Sequence, residues 1–356
     1  MPALFHEVPA GLGSAGPLQV SRNELEQAAI QGARWAVSKG YGTESDLRHI
    51  EEEGCLRGAN PDRVSARAWQ RGLPQLGTLG SGNHFLEIGY VDEIYDETAA
   101  RTMGLSTGLV TVIIHCGSRG FGYQICDDYL ALMRKAATAY GIALPDPELA
   151  CAPLDSPEGK AYLAAMTCAI NYAFANREII AHRVRETLSR VFRQTPEAIG
   201  LRTVYEVAHN IAKWETHTVE GRERTLCVHR KGATRAFAPG HAAVPSDYRS
   251  IGQPVLIPGD MGRYSYVLTG TEQAMRDTFG STSHGAGRRM SRHEARRAAH
   301  GRDIAGELRH QDVLVIGQER GTLDEEMPEA YKDVADVVDA GVQAGLSNKV
   351  CRLRPM

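Results

Sequence analysis

The sequence has no C-x-x-C pair: its seven cysteines, Cys55, Cys116, Cys126, Cys151, Cys168, Cys227 and Cys351, are scattered and odd in number. That argues against a disulfide framework and for reduced thiols. A strong charge of either sign is also missing. A formal net charge of −3 over 356 residues excludes a globally basic nucleic-acid binder, so any anion site must be local. No apolar run reaches transmembrane length and no signal peptide opens the chain, which predicts no membrane partner. No internal repeat, low-complexity segment or long linker forces a boundary. These absences predict a soluble cytoplasmic protein folded as a single domain over residues 1–356, long enough to bury a large core.

What is present reads as helices mixed irregularly with short β-rich runs. "SRNELEQAAIQGARWAVSKG" opens on a capping box, Ser21 with Glu24, and closes on Gly40, which predicts one helix. A long helix is predicted from Ser156 as N-cap, with Pro157 at the first helical position, to about Phe192. Along it Leu163, Met166, Ile170, Phe174, Ile180, Val184 and Leu188 recur at helical spacing. Strands are predicted at "LVTVII" (109–114), "TLCV" (225–228), "PVLI" (254–257), "SYVL" (265–268) and "VLVI" (313–316). The fold class is α+β, or irregular α/β, with sheet strands flanked by helices.

Residues with chemistry gather where strands run out. "GTLGSGNHFLEIG" (77–89) places Asn83 and His84 after a glycine-rich turn, and "VIIHCGSRGFG" (112–122) ends a strand on His115 and turns past Arg119. "VAHNIAKWE" (207–215) gives His209 and Asn210; "VHRKGATRAF" (228–237) gives His229, Arg230, Lys231 and Arg235; "LIPGDMGRYSYVL" (256–268) is strand, tight turn and strand. A lone histidine at a strand end is usually a hydrogen-bonded structural residue. Five turns that set histidine, arginine or lysine among glycines point further. Glycines let backbone N–H groups approach a phosphate, cations neutralise it, and neutral imidazoles ligate divalent transition metals. The residue types alone leave a metal-plus-phosphate site and a structural role both open.

In this order, "GTLGSGNHFLEIG", "HCGSRGFG", "AHN", "HRKGATRAF", "IPGDMGRYSYVLTGTE" and "STSHGAGRRMSR" resemble the RtcB family of RNA-splicing ligases. The resemblance runs from "ALFHEVPAGLGS" to "CRLRP", essentially the whole chain. It implies an RtcB-like fold and an enzyme that joins RNA 3′-phosphate or 2′,3′-cyclic phosphate ends to 5′-hydroxyl ends, in tRNA splicing or RNA repair. GTP and two manganese ions serve the reaction, which passes through a histidine–GMP intermediate. Room is left for an accessory activating protein, and the oligomeric state stays open.

Carried over residue by residue, the guanylylated histidine falls on His284, flanked by Gly285 and Gly287 so that a nucleotide can sit close. The metal ligands fall on His84 for one ion and on His115 with His209 for the other. Nucleotide contacts fall on Asn83, His84, Phe85, Leu86 and Glu87, on His209 and Asn210, on Pro258, Gly259, Asp260 and Met261, and on Ser265. His284, Gly285, Ala286, Gly287 and Tyr331, the last as a stacking platform for guanine, complete them. RNA phosphate contacts fall on Asn83, Arg119, Lys231, Arg288 and Arg292. If "RRMSRHEARRAA" is helical, Arg288, Arg292 and Arg296 share one face.

Three departures from the family pattern shape the expectations. The upstream D-x-G-C-G segment, with a metal-holding aspartate and a bridging cysteine, has no counterpart after Met1. The family's C-terminal lysine has none before Met356, and Asp260 stands where a small hydroxyl residue is usual. Cys116 is a poor substitute thiolate, because it points to the opposite face from His115. These departures predict weak or single-metal binding and keep two alternatives: a non-catalytic RNA- or nucleotide-binding derivative, and a metal-dependent phosphoesterase on the same scaffold.

Overall fold

The longest helix explains much of the architecture. In the computed structural model, which describes residues 2–11, 13–16 and 18–356, it spans Pro157–Phe192. Leu12, within "ALFHEVPAGLGS", lies outside the described residues, as do Met1 and Pro17. Ser156 Oγ accepts from the Gly159 N–H at 3.0 Å, Pro157 opens the first turn, and Arg193 leaves the helix at φ 54°. One side of this helix buries Cys168, Tyr172, Ala175 and Ile179 against Trp35, Trp69 and Phe121, carried by helices Ala33–Ser38, Ala66–Gly72 and Arg119–Ala139.

The helix predicted from Ser21 to Gly40 is two helices, Arg22–Gln31 and Ala33–Ser38. Its capping box forms as expected, but Gly32 breaks the run at φ 61°, ψ −138°. The Gly54 backbone lies so close that a Cβ at Gly32 would fall 2.0 Å from the Gly54 carbonyl oxygen. Tertiary contact overrides the helical pattern there, and only glycine permits it.

Among the described residues nine strands form one antiparallel sheet and two ribbons: β1 (Phe85–Ile94), β2 (Val110–His115), β3 (Asn210–Val219), β4 (Arg222–Lys231), β5 (Ala233–Arg235), β6 (Pro254–Ile257), β7 (Ser265–Gly270), β8 (Ser281–Ser283) and β9 (Ser347–Pro355). The sheet order is β2-β1-β9-β7-β6, with ribbons β3-β4 and β5-β8. The architecture is α+β. Three predicted runs fall within β4, β6 and β7, and the run at 109–114 overlaps β2, which starts one residue later, but "VLVI" at 313–316 is not a strand. Val313 instead packs into a small core with Ile304, Leu308 and Met327, while Leu314 is exposed. An apolar run without a partner edge has no ladder to join.

Ribbon β3-β4 hides its charges on one face. Lys213 donates to Glu51 at 2.5 Å and Glu52 at 2.8 Å, Arg235 on β5 reaches Glu52 at 2.8 Å, and Arg230 clasps Glu215 at 2.6 and 2.8 Å. Burial alone would raise the Glu51 carboxyl, yet Lys213 and Arg235 hold it down at about 2. Removing one partner from such a buried pair costs roughly 3–5 kcal/mol. Arg230 and Arg235, two cations of "HRKGATRAF", are therefore structural. No helix among the described residues is long and apolar enough to cross a membrane.

Candidate active site

Strand register brings four histidines together. Phe85 pairs with His115 across β1 and β2, so His84 sits just beyond the ladder beside the last residue of β2. On ribbon β3-β4, Asn210 pairs with Lys231, which sets His209 and Gly232 side by side at the same end. Ala233 then pairs with Ser283, so His284 emerges from β8 beside Gly232. His115 Nε2 and His209 Nε2 lie 3.0 Å apart. The His209 and His284 rings are 4.4 Å apart between centroids, and those of His84 and His115 are 6.2 Å apart.

These imidazoles are held neutral. Burial, followed by the Arg119 charge, pushes His84 down to about 4; burial, followed by His284, pushes His209 to about 3. Burial and then His209 push His115 well below its ordinary value. His284 is lowered by burial first, while a backbone hydrogen bond with Gly232 opposes the shift. The Nδ1 atoms of His84, His115 and His209 are buried without a hydrogen-bond partner, a costly arrangement unless a ligand or water takes them up. His284 is half-buried and Ala286 buried, so this segment is not the lightly packed surface turn its glycines suggest.

The turns that carry these side chains are pinned by the long helix. Asn176 accepts from the Gly77 N–H at 2.7 Å and donates to the Thr78 and Gly117 carbonyls at 3.2 and 3.3 Å. Arg177 donates to the Cys116 carbonyl at 2.9 Å and pairs with Glu206. Sequence reasoning missed both residues, although each is a polar break in the helix's apolar run. A Cβ at Gly80 would fall 1.6 Å from His84 Nδ1, so the ring needs glycine there. Cys116 is buried with Leu79, Ile180 and Val184, and burial pushes its thiol up.

Beside His284 lies the turn after β6. The Ala286 N–H donates to the Pro258 carbonyl at 3.2 Å, and Gly259 N–H to Ser265 Oγ at 3.4 Å. Asp260 is engaged in the turn: its Oδ1 accepts from the Gly262 and Arg263 N–H groups at 3.0 and 3.1 Å. Its Oδ2 is buried without a hydrogen bond, 3.5 Å from Arg263 Nη1, and Glu87 Oε1 is buried and unpaired. Burial, reinforced by Asp260, raises Glu87 to about 8, and burial raises Asp260 to about 6. At about 6 Asp260 is still mostly ionised at neutral pH, whereas Glu87 is mostly protonated there. Phe85 sits edge-on to His115, whereas Leu86 packs with the core on the opposite face.

The cations stand on the other side. Arg288 is not on the predicted helix, which begins only at Arg292 and runs to Ala298; it forms a bridge with Tyr331 and lies 5.0 Å from that ring's centroid. Arg288 pairs with Glu326 at 3.0 Å, Arg292 approaches Glu325 and Glu326 at 3.8 Å, and Arg296 pairs with Glu325 at 2.7 Å. Tyr331 hydroxyl contacts Glu326 as well. Arg119 donates to Thr78 Oγ1 at 3.1 Å and to the Gly11 carbonyl at 2.8 Å. Asn83 and Lys231 are exposed, and Lys231 has no ion pair among the described residues.

Two neutral ring nitrogens 3.0 Å apart on separate strands suit a divalent transition ion. Among the described residues no group of three or more His, Cys, Asp or Glu side chains is placed to hold a metal. The two facing nitrogens fit such an ion in kind, while a third protein ligand is not placed beside them among the described residues.

The profile of the family described as "tRNA-splicing ligase RtcB" matches residues 1–356. A protein of that name from Archaeoglobus fulgidus is 56% identical over 353 residues, covering 99% of this chain and 73% of the relative. Its namesake from Methanococcus maripaludis is 52% identical, covering 99% and 74%. The chain belongs to the RtcB family. A further RtcB relative, from Methanocaldococcus jannaschii, is 52% identical across 99% of this chain, which spans 36% of that longer protein. The likeness to RtcB proteins thus extends through every turn that carries a site histidine.

Proposed function

We propose that this chain, acting as one domain, is an RNA ligase that joins 3′-phosphate or 2′,3′-cyclic phosphate ends to 5′-hydroxyl ends with GTP as co-substrate. The observation that carries the reading is the convergence of four uncharged histidines from four strand ends, three of them with a buried Nδ1 that has no partner. Membership of the RtcB family and relatives named tRNA-splicing ligase support it.

His284 is the nucleophile. A neutral ring nitrogen is required, and the lowered basicity of His284 keeps that form populated at neutral pH. Its nitrogen attacks the α-phosphorus of GTP, the bond to the β-phosphate oxygen breaks, and pyrophosphate leaves with the electron pair. An RNA 3′-phosphate oxygen then displaces His284 from the GMP, and the 5′-hydroxyl displaces GMP to close the strand. A cyclic end is first opened by water to a 3′-phosphate. His115 with His209, and His84 for a second ion, would hold manganese, which when bound supplies charge stabilisation at the phosphates.

Guanine presents N–H donors, and Glu87 Oε1, buried without a partner, would accept from one. Asn83, Asn210, the Pro258–Met261 turn, Ser265, Gly285 to Gly287 and Tyr331 line the rest of the nucleotide site. Arg119, Lys231, Arg288 and Arg292 read the RNA phosphates. The non-catalytic and phosphoesterase alternatives have no specific observation in their favour. GTP labelled at the α-phosphate tests the reading: the chain should acquire label with manganese, and His284→Ala should not. Equal labelling of that variant would move the nucleophile elsewhere.

A further inference from the structure

Ribbon β3-β4 has a second face that, beyond Asn210 and Lys231 at its catalytic end, the chemistry above does not use. Ile211, Lys213 and His217 are buried on one side, with Val228 and Arg230. Alternate residues point the other way. From the catalytic end, Lys231 pairs with Asn210, His229 with Ala212, and Cys227 with Trp214. Lys231 and His229 are exposed, and Trp214 is 56% exposed, whereas the only other tryptophans, Trp35 and Trp69, are 4% and 1% exposed. Four residues of strand carry the face about 13 Å from Asn210 to Trp214.

Trp214 stands at the wall of a cleft of about 1000 Å³ between this ribbon, the Glu51–Gly58 segment and the start of the long helix. Seven cations line the cleft against four carboxylates, in a chain whose net charge is −3. Among the cations Arg48, Arg57, Lys160 and Arg249 are exposed and have no ion pair among the described residues. Of the carboxylates, Glu53 is engaged by Arg34 and Asp247 by His49.

We propose that this ribbon face and cleft form a track for single-stranded RNA leading away from the ligation site. The proposal rests on the RNA-ligase reading. Single strands are held by aromatic platforms that stack bases and by cations that follow the backbone. The face begins at Lys231, beside His209 and His284, passes the exposed Trp214, and opens onto unpaired cations; continuity and charge select RNA over a protein partner.

Tryptophan fluorescence tests this on the full chain, because Trp214 is its one exposed indole among three. Oligouridylates ending in a 3′-phosphate, titrated in order of increasing length, should quench it once the strand reaches Trp214. Trp214→Ala should weaken binding of the long oligomers about tenfold and leave the shortest unchanged. Trp214→Phe, which keeps a stacking ring, should retain most of the affinity while losing the quench. GMP labelling should be unaltered in both variants. A parent that joins RNA ends while Trp214→Ala binds every length equally well overturns the track and leaves the ligase reading standing. A parent that takes no GMP label but shows the length-dependent quench supports the track and counts against the ligase reading.

Discussion

The two sides of the candidate site treat their polar groups in opposite ways. On the histidine side, His84, His115 and His209 are neutral and keep buried Nδ1 atoms without partners. On the arginine side, Arg288, Arg292 and Arg296 already face Glu325 and Glu326. Burial disfavours a charged imidazole, so each ring on that side stays neutral, with one N–H and one lone pair. A guanidinium cannot lose its proton in a protein, so its charge must be matched by something. If these arginines read RNA phosphates as proposed, the carboxylates compete with them. Binding on the first side gains new partners; binding on the second exchanges old ones.

That contrast can be broken or sharpened by measurement. The largest effect is expected from His284→Ala, which should reduce GMP labelling by on the order of 10⁴-fold or more, with an unchanged far-ultraviolet circular dichroism spectrum. Next, His115→Ala or His209→Ala should weaken manganese binding, read by calorimetric titration, by more than about 100-fold, beyond the loss typical of a supporting residue. An unchanged titration would mean that the facing ring nitrogens hold no ion.

On the arginine side a gain is expected. Glu325→Gln combined with Glu326→Gln should tighten RNA binding about tenfold at low salt and steepen the slope of log affinity against log salt by about 0.7 for each arginine released. Equal slopes in parent and variant would show that the carboxylates do not compete with phosphate. Arg292→Ala should weaken RNA joining yet leave labelling intact.

The smallest effect is on stability. His84 and His209 have folded values of about 4 and about 3, below the ordinary 6.5. Above pH 6.5 both are neutral folded or unfolded, so they contribute no pH dependence. As pH falls toward 4 the unfolded chain takes up protons that the fold excludes, and stability drops. Melting temperature should fall across that window, and less steeply in His84→Ala. Parallel curves would mean that His84 is not held neutral by the fold.

Much of this was legible in the sequence because chemistry and backbone signals coincide there. The Ser156–Pro157 start fixed the long helix, and strand-terminal histidines marked the turns that meet. Gly32 was read as a helical residue because the Gly54 backbone that breaks the helix is distant in sequence. Strands β1, β3 and β9 were missed because "FLEIGYVDEI", "NIAKWETHTV" and "SNKVCRLRP" carry charges and polar groups that only partners elsewhere satisfy, as Glu51 does for Lys213. Placing Arg288 on a helix failed for a related reason: the capping box at Ser291 and Glu294 starts the helix after it, while Tyr331 holds Arg288 in a bridge. The Glu325–Glu326 pair had no sequence signal, since two acids in a row are ordinary.

Asn176 ties the chemistry to rotational phase. One side chain, reaching from the middle of the Pro157–Phe192 helix, gathers the turns at Gly77–Thr78 and Gly117, and its neighbour Arg177 holds the Cys116 carbonyl. Inserting a single residue upstream within that helix would turn everything after it by about 100°. The amide would swing away from both turns at once, and His84 and His115 would lose their common reference. The helix thus acts as a camshaft whose angle, more than its length, sets where two imidazoles meet.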